Sequence, residues 1–150
     1  MKLSPRKINA YLFFKLPSAF LAGVRVKSIT ETTCITTVKH RWINQNPFKS
    51  MFWAVQGMAA ELSTGALVMD KINSSQQNIS MLVASNRATF HKKARGKITF
   101  KCEEGKEVME AIQKAVETGE GQTIWMKSAG RDAAGDLVSE FEFEWTIKKR

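Results

Sequence analysis

The side chain with the clearest chemical potential is Glu61. Between Ser50 and Met69 it is the one charged residue in twenty, and no proline interrupts the run, as a helix interior requires. At about 100° per residue, Glu61 shares a stripe with Ser50, Ala54, Gly57, Gly65 and Val68. A solvated helix face normally bears several charges, whereas this stripe holds one carboxylate among small residues. Desolvation disfavours the ionised carboxylate, raises its pKa and suits it to general-base work near neutral pH. Gly57 and Gly65 lie one turn to either side, and each costs about 1 kcal/mol relative to alanine in a helix. That cost implies close approach by a partner chain or a substrate. The same pattern also fits a solvent-exposed glutamate on an indifferent helix, and residue types alone do not separate the two.

Other reactive side chains are sparse. Cys34 and Cys102 fall in segments that read as strands, without a CxxC or any local cysteine motif, so both are expected as buried small hydrophobes. The only histidines are His40 and His91, no Cys/His ligand set is present, and no metal is predicted. His91, Lys92, Lys93, Arg95 and Lys97 surround an expected turn, with Arg87 on the strand before it. Such a cluster suits ligand phosphates, and it equally describes a solvated surface.

A long helix must position Glu61. Asn46 suits an N-cap, Pro47 suits the first helical position, and the pattern runs to Asp70. One face, Phe48, Met51, Phe52, Val55, Ala59, Leu62, Ala66 and Met69, is expected to meet a sheet. Before it, Gly23 opens a hairpin in which Val24 and Val26 alternate with Arg25 and Lys27, followed by the β-branched stretch Thr33 to His40. After it come four extended segments, near 79–91, 97–103, 122–129 and 137–147. The last alternates Phe141, Phe143, Trp145 and Ile147 with Glu142, Glu144 and Thr146, as one buried face demands. Lys106 to Thr118 reads as an amphipathic helix stopped by Gly119 and packed on the outside. The order is helix, two strands, long helix, two strands, short helix, two strands. With 150 residues, one α+β domain with one core is expected, and residues 1–22 form a helical extension.

The net charge of +9 favours anionic partners. Nucleic-acid binding would rest on that charge alone, because no aromatic-basic strand signature or helix-turn-helix accompanies it, so no nucleic-acid partner is expected. Lys2, Arg6 and Lys7 before the apolar run Ile8 to Phe14 resemble a signal peptide, but Ser4-Pro5 reads as a helix start and Lys15 cuts the run short. A packed helix and a cytoplasmic location are expected. Ile8, Tyr11, Leu12 and Leu16 with their basic neighbours also fit a helix touching a membrane surface. Gln56, Glu61, Ser63 and Thr64 make the long helix too polar for a transmembrane span. The sequons at Asn73 and Asn78 carry little meaning without secretion.

The segment Asn46-Pro-Phe-Lys-Ser-Met-Phe-Trp-Ala-Val-Gln-Gly-Met-Ala-Ala-Glu61 resembles the hot-dog thioesterase superfamily, closest to a branch labelled as a domain of unknown function. Members similarly place an Asn before the central helix and an Asp or Glu on it at this separation. The resemblance implies a curved antiparallel sheet wrapped around the helix, acyl-CoA thioester hydrolysis without a further cofactor, and a homodimer or homotetramer. It implies Asn46 as a polar contact near the thioester and Glu61 as nucleophile or general base. Backbone N–H groups at the helix start would polarise the carbonyl. Phe52, Trp53, Gly57, Gly65, His91, Lys92, Lys93 and Arg95 are the expected substrate contacts. The family's early His-Gly or Gly-Gly pair is replaced by Phe52, Trp53 and Ala54, which keeps open a protein that binds acyl-CoA or fatty-acyl groups without cleaving them.

Overall fold

The computed structural model describes residues 2–150. Two short helices begin the chain, α1 (Pro5–Lys15) and α2 (Pro17–Leu21). Ser4 caps α1 by accepting from the Lys7 N–H. The single N-terminal helix expected from the sequence divides at Leu16. The pyrrolidine of Pro17 disfavours helical backbone in the residue before it, and Leu16 takes φ −131°, ψ 59°.

The strands are β1 (Arg25–Ile29), β2 (Cys34–Lys39), β3 (Ile79–Phe90), β4 (Lys97–Cys102), β5 (Gln122–Arg131) and β6 (Leu137–Lys149). They form one curved, wholly antiparallel sheet in the order β1-β2-β4-β5-β6-β3. Helix α3 (Trp53–Ser75) lies within the curve, and α4 (Gly105–Thr118) packs Val108, Ile112 and Ala115 inward beside it. This is the hot-dog arrangement. The strict alternation in β6 appears as written: Phe141, Phe143, Trp145 and Ile147 are buried, and so are Ile98, Phe100 and Cys102 of β4.

The two sheet edges differ. Asn9 of α1 exchanges two hydrogen bonds with Val26 of β1, its side-chain carbonyl accepting from the Val26 N–H and its amide donating to the Val26 carbonyl. A helix therefore occupies part of that edge. At the other end, the twelve residues of β3 pair only with β6, and seven consecutive residues from Val83's neighbour Ala84 to Phe90 are exposed.

Helix α3 starts six residues later than expected and ends five later. Asn46 does not cap it, and Pro47 is not its first residue. Instead, Gln45 and Met51 bridge to close a loop, and Lys49 at its tip has φ +58°. The residue types that favour an N-cap also favour such turns. At the far end Ile72 is half-buried, so the helix continues to Ser75 before Gln76 adopts left-handed backbone at φ +54°.

Beyond its first turns α3 is buried nearly all round, not on one face only: from Ala59 to Lys71 only Glu61 and Met69 keep partial exposure. Phe48 and Phe52, placed on the sheet-facing side by the longer helix, lie before it and are exposed. Four polar contacts set the rotation of α3. The Thr36 hydroxyl donates to the Ala59 carbonyl (2.6 Å), the Ser139 hydroxyl to the Gln56 side chain (2.7 Å) and the Trp145 indole N–H to Thr64 Oγ1 (2.9 Å). The Ser63 and Ser128 hydroxyls meet at 2.7 Å.

At Gly65 the absence of a side chain has an intramolecular explanation, which corrects the expectation of a partner chain or substrate at that position. A Cβ on Gly65 would stand 3.1 Å from the Trp145 ring, and one on Gly57 would stand 3.5 Å from Phe141. Both aromatics belong to β6. Because Trp145 is held by its hydrogen bond, it has little room to retreat at Gly65, whereas 3.5 Å at Gly57 is an ordinary contact. Gly57→Ala is therefore expected to raise stability by about 0.5–1 kcal/mol through helix propensity, and Gly65→Ala to lower it by about 1–3 kcal/mol through overpacking. Urea denaturation of the two variants tests this, and equal stabilisation by both would disprove the steric account of Gly65.

Candidate functional site

The site begins with the loop before α3. The Asn46 side-chain carbonyl accepts from the N–H groups of Phe48 (2.9 Å) and Ser50 (3.2 Å), while its amide contacts Ser50 Oγ (3.0 Å) and the Met51 carbonyl (3.4 Å). Those bonds draw Asn46 into holding its own loop. With Phe52 at the N-cap position, α3 has no side-chain cap. The first N–H groups of an uncapped helix are free donors, and here they are those of Trp53 and Ala54.

Glu61 lies eight residues along α3 from Trp53, about 12 Å at the usual rise. It is half-buried, and among the described residues no group donates a hydrogen bond or forms an ion pair with its carboxylate. Burial holds its pKa above the ordinary carboxylate value. The other acid of α3, Asp70, is buried and engaged: it accepts from the Leu3 N–H at 3.1 Å and lies 3.6 Å from the Lys71 ammonium. Glu61 is thus the desolvated carboxylate of the central helix left with its charge unmatched.

An open groove of about 310 Å³ forms beside the helix start, lined by Asn46, Ser50, Trp53, Gln56, Phe90, His91, Lys92 and Lys93, with Met51 and Ala94 beneath. The fold therefore brings Asn46, Trp53, His91, Lys92 and Lys93 together. Glu61, Phe52, Gly57, Gly65 and Arg95 do not line it. Gly65 is buried against the Trp145 ring, whereas Gly57 is half-buried and meets Phe141 only at ordinary contact distance. Ser50, Gln56 and Phe90 are additions that the sequence reading missed as site residues. Gln56, a lone amide in an apolar run three residues after Trp53, was the available signal.

The basic cluster is largely neutralised. Lys92 pairs with Asp132 (2.7 Å) and Asp136 (3.1 Å), His91 with Glu140 (2.9 Å), and Arg87 with Glu142. These acids sit on or beside β6, where cross-strand pairing reaches them. Among the described residues, Lys93 and Arg95 have no acidic partner, and the Lys93 ammonium lies 6.0 Å from the Phe48 ring. With Lys97, they are the cations of the cluster without an acid beside them among the described residues.

Cys34 and Cys102 face each other in the β2–β4 register as buried free thiols, and burial pushes both pKa values up to about 12. At neutral pH they are protonated and pack as hydrophobes. Among the described residues, no three His, Cys, Asp or Glu side chains gather as a metal site would require.

The family model described as Domain of unknown function (DUF4442) matches residues 5–147. The chain belongs to this family. Its fold recurs in PA5026 of Pseudomonas aeruginosa, described as a protein of unknown function and "Probable Thioesterase": the TM-score is 0.84 at 19% identity, covering 100% of this chain and 99% of that one. A protein of unknown function from Chlorobaculum tepidum superposes with a TM-score of 0.82 at 16% identity, covering 99% of each. The thioesterase HI1161 from Haemophilus influenzae gives 0.74 at 11% identity, covering 99% of this chain and 93% of that one. A search of curated proteins finds no significant match. The hot-dog fold is thereby shared by this DUF4442 chain and thioesterases.

The raised Glu61 pKa sets a sign for stability. The folded state favours the protonated carboxyl more than the unfolded chain does, so the penalty of ionisation is absent below the unfolded pKa. It develops as pH rises through the folded pKa, and stability falls over that window. Glu61→Gln removes the titration, so its stability relative to wild type is expected to increase as pH rises from the ordinary carboxylate range through the raised Glu61 pKa. Denaturation series at several pH values check this, and a pH-independent difference would refute the desolvation of Glu61.

Proposed function

We propose that the protein hydrolyses acyl-CoA thioesters in the cytoplasm, with Glu61 as general base or nucleophile. The observation that carries the reading is the desolvated, unmatched Glu61 carboxylate on the central helix of a fold shared with thioesterases. As general base, Glu61 takes a proton from water while the water oxygen adds to the thioester carbonyl. The resulting oxyanion is met by free N–H groups at a helix start. Collapse breaks the C–S bond, the departing thiolate takes the proton from Glu61, and the products are a carboxylic acid and CoA. Lys93 and Arg95 are the residues proposed to receive CoA phosphates.

Within one chain, the separation of about 12 Å between the helix start and Glu61 is too long for both to act on one carbonyl. A second copy removes the difficulty if two antiparallel central helices set the start of one beside Glu61 of the other. The open β3 edge suits such an assembly, because the outer edge of a twelve-residue strand is normally covered. Leu82 on that strand is 66% exposed, an exposure that a neighbouring chain would relieve. The proposed active unit is a homodimer, or a tetramer of two such dimers. A scattering mass of one chain at micromolar concentration would remove this shared site.

A specific observation favours a second reading, an acyl-CoA or fatty-acyl binding protein. Trp53 stands in the groove at the helix start, and the Asn46 side chain is spent on its own loop. Thiol release from short, medium, long and aromatic acyl-CoAs by wild type and Glu61→Gln separates the two. The hydrolase is expected to lose 100-fold or more with Glu61→Gln, an order of magnitude typical of removing a general base. Its activity should rise with pH through a pKa that burial holds above the ordinary carboxylate value, because Glu61 must be ionised to act. Intact acyl-CoA binding without turnover by either protein would establish the binding role instead.

A further inference from the structure

The charge of this chain is divided unevenly along it. Residues 1–60 contain nine Lys/Arg and one acid, Glu31, whereas residues 61–150 contain fourteen Lys/Arg against thirteen acids. The first part thus accounts for nearly all of the +9. It also carries ten of the fourteen large hydrophobic side chains that are exposed among the described residues. Charge and exposed aromatic surface coincide.

Contacts join much of this surface into one patch. α1 buries Ile8 and Leu12 in the core and turns Phe14 outward, 75% exposed. The Phe13 ring packs edge-on against Phe14 (4.9 Å) and Phe20 (5.1 Å), and the Arg25 guanidinium lies 3.6 Å over Phe20. The turn Trp42–Asn44 is tied to the end of α2, because the Asn44 amide donates to the Ala22 carbonyl (2.9 Å) and Arg41 Nη2 reaches the Leu21 carbonyl (3.5 Å). Leu21 is 62% exposed and Trp42 84%. Phe13, Phe14, Leu21 and Trp42 lie outside the core, and Lys15, Arg25 and Arg41 are interleaved with them. The patch belongs to the β1 end of the sheet, at the opposite end of the strand order from the open β3 edge.

We infer that the patch of α1, α2 and the Trp42–Asn44 turn docks on an anionic lipid bilayer. Aromatic side chains favour the headgroup level, where ring and polar edge are both accommodated. Lys and Arg between them meet lipid phosphates, and the absence of acids from α1 and α2 removes the repulsion that would oppose approach. An exposed apolar patch rimmed by cations is the signature of interfacial binding. No helix among the described residues is long and apolar enough to cross a membrane, so the docking is peripheral. The inference stands on this patch alone and does not depend on thioester hydrolysis.

The test is sedimentation of the full chain with vesicles of phosphatidylcholine, with and without phosphatidylglycerol, over a range of salt. The protein is expected to sediment with the anionic vesicles only, and less as salt rises. The double variant Phe14→Ser/Trp42→Ser, altered only at exposed positions, is expected to reduce binding at least tenfold with its thermal transition unchanged. On wild type, vesicles should slow amide exchange in α1, α2 and the Trp42–Asn44 turn, a readout that needs no variant. Failure to bind anionic vesicles, equal binding by the double variant, or protection confined elsewhere would each overturn the inference. So would binding to oligonucleotides without binding to vesicles.

Discussion

The close approach of α3 to β6 is the constraint on which the rest of this structure depends. A 23-residue helix lies within a curved sheet, and the Trp145 ring of β6 reaches its backbone at Gly65. Glycine's lack of a Cβ permits that distance, and the hydrogen bond from Trp145 to Thr64 fixes it. With Ser139–Gln56, Ser63–Ser128 and Thr36–Ala59, the helix is held against rotation as well as displacement. An apolar surface alone would resist separation more than it would resist turning, because hydrophobic attraction has little direction. The polar contacts supply that direction, and the orientation of Glu61 follows from it.

That orientation places a carboxylate where water is partly excluded and no protein group compensates the charge. Asp70, nine residues further along, has the same chemistry and a different environment: a backbone donor and a lysine occupy it. The contrast explains why one acid of α3 is a candidate for catalysis and the other is a structural group. Charges on the outer surface follow the same logic. Lys92 and Arg87 find acids of the β5–β6 turn and of β6 and cease to be free cations, whereas Lys93, Arg95 and Lys97 have no acid beside them among the described residues.

The two ends of the sheet have different fates for a local reason. Asn9, carried by α1, supplies hydrogen-bond partners to the β1 backbone, and the adjacent helices then expose the basic aromatic surface. β3 has no such cover. One edge of the sheet is thus partly closed by the chain's own helix and the other is open.

Much of this was legible in the residues. The alternation of β6 and β4, the helix stop at Gly119 and the unbroken run around Glu61 each reflect short-range periodicity, which the sequence carries directly. The resemblance centred on residues 46–61 pointed to the fold that the tertiary structure has. What was not legible depended on partners distant in the chain. Asn46 and Pro47 suit a helix start and a tight loop alike, and the bridge between Gln45 and Met51 chose the loop. Gly65 announced a close neighbour, but only β6, some eighty residues later, identified it as Trp145. The basic run near His91 was visible as charge, yet its neutralisation depended on strand register. By itself, then, the sequence determined which segments are helix or strand and which acid sits in an apolar stretch, because those follow from neighbours a few residues apart. The tertiary structure alone decided what packs against Gly65, which cations stay free and which sheet edge is open, because each depends on pairing between segments that the chain keeps far apart.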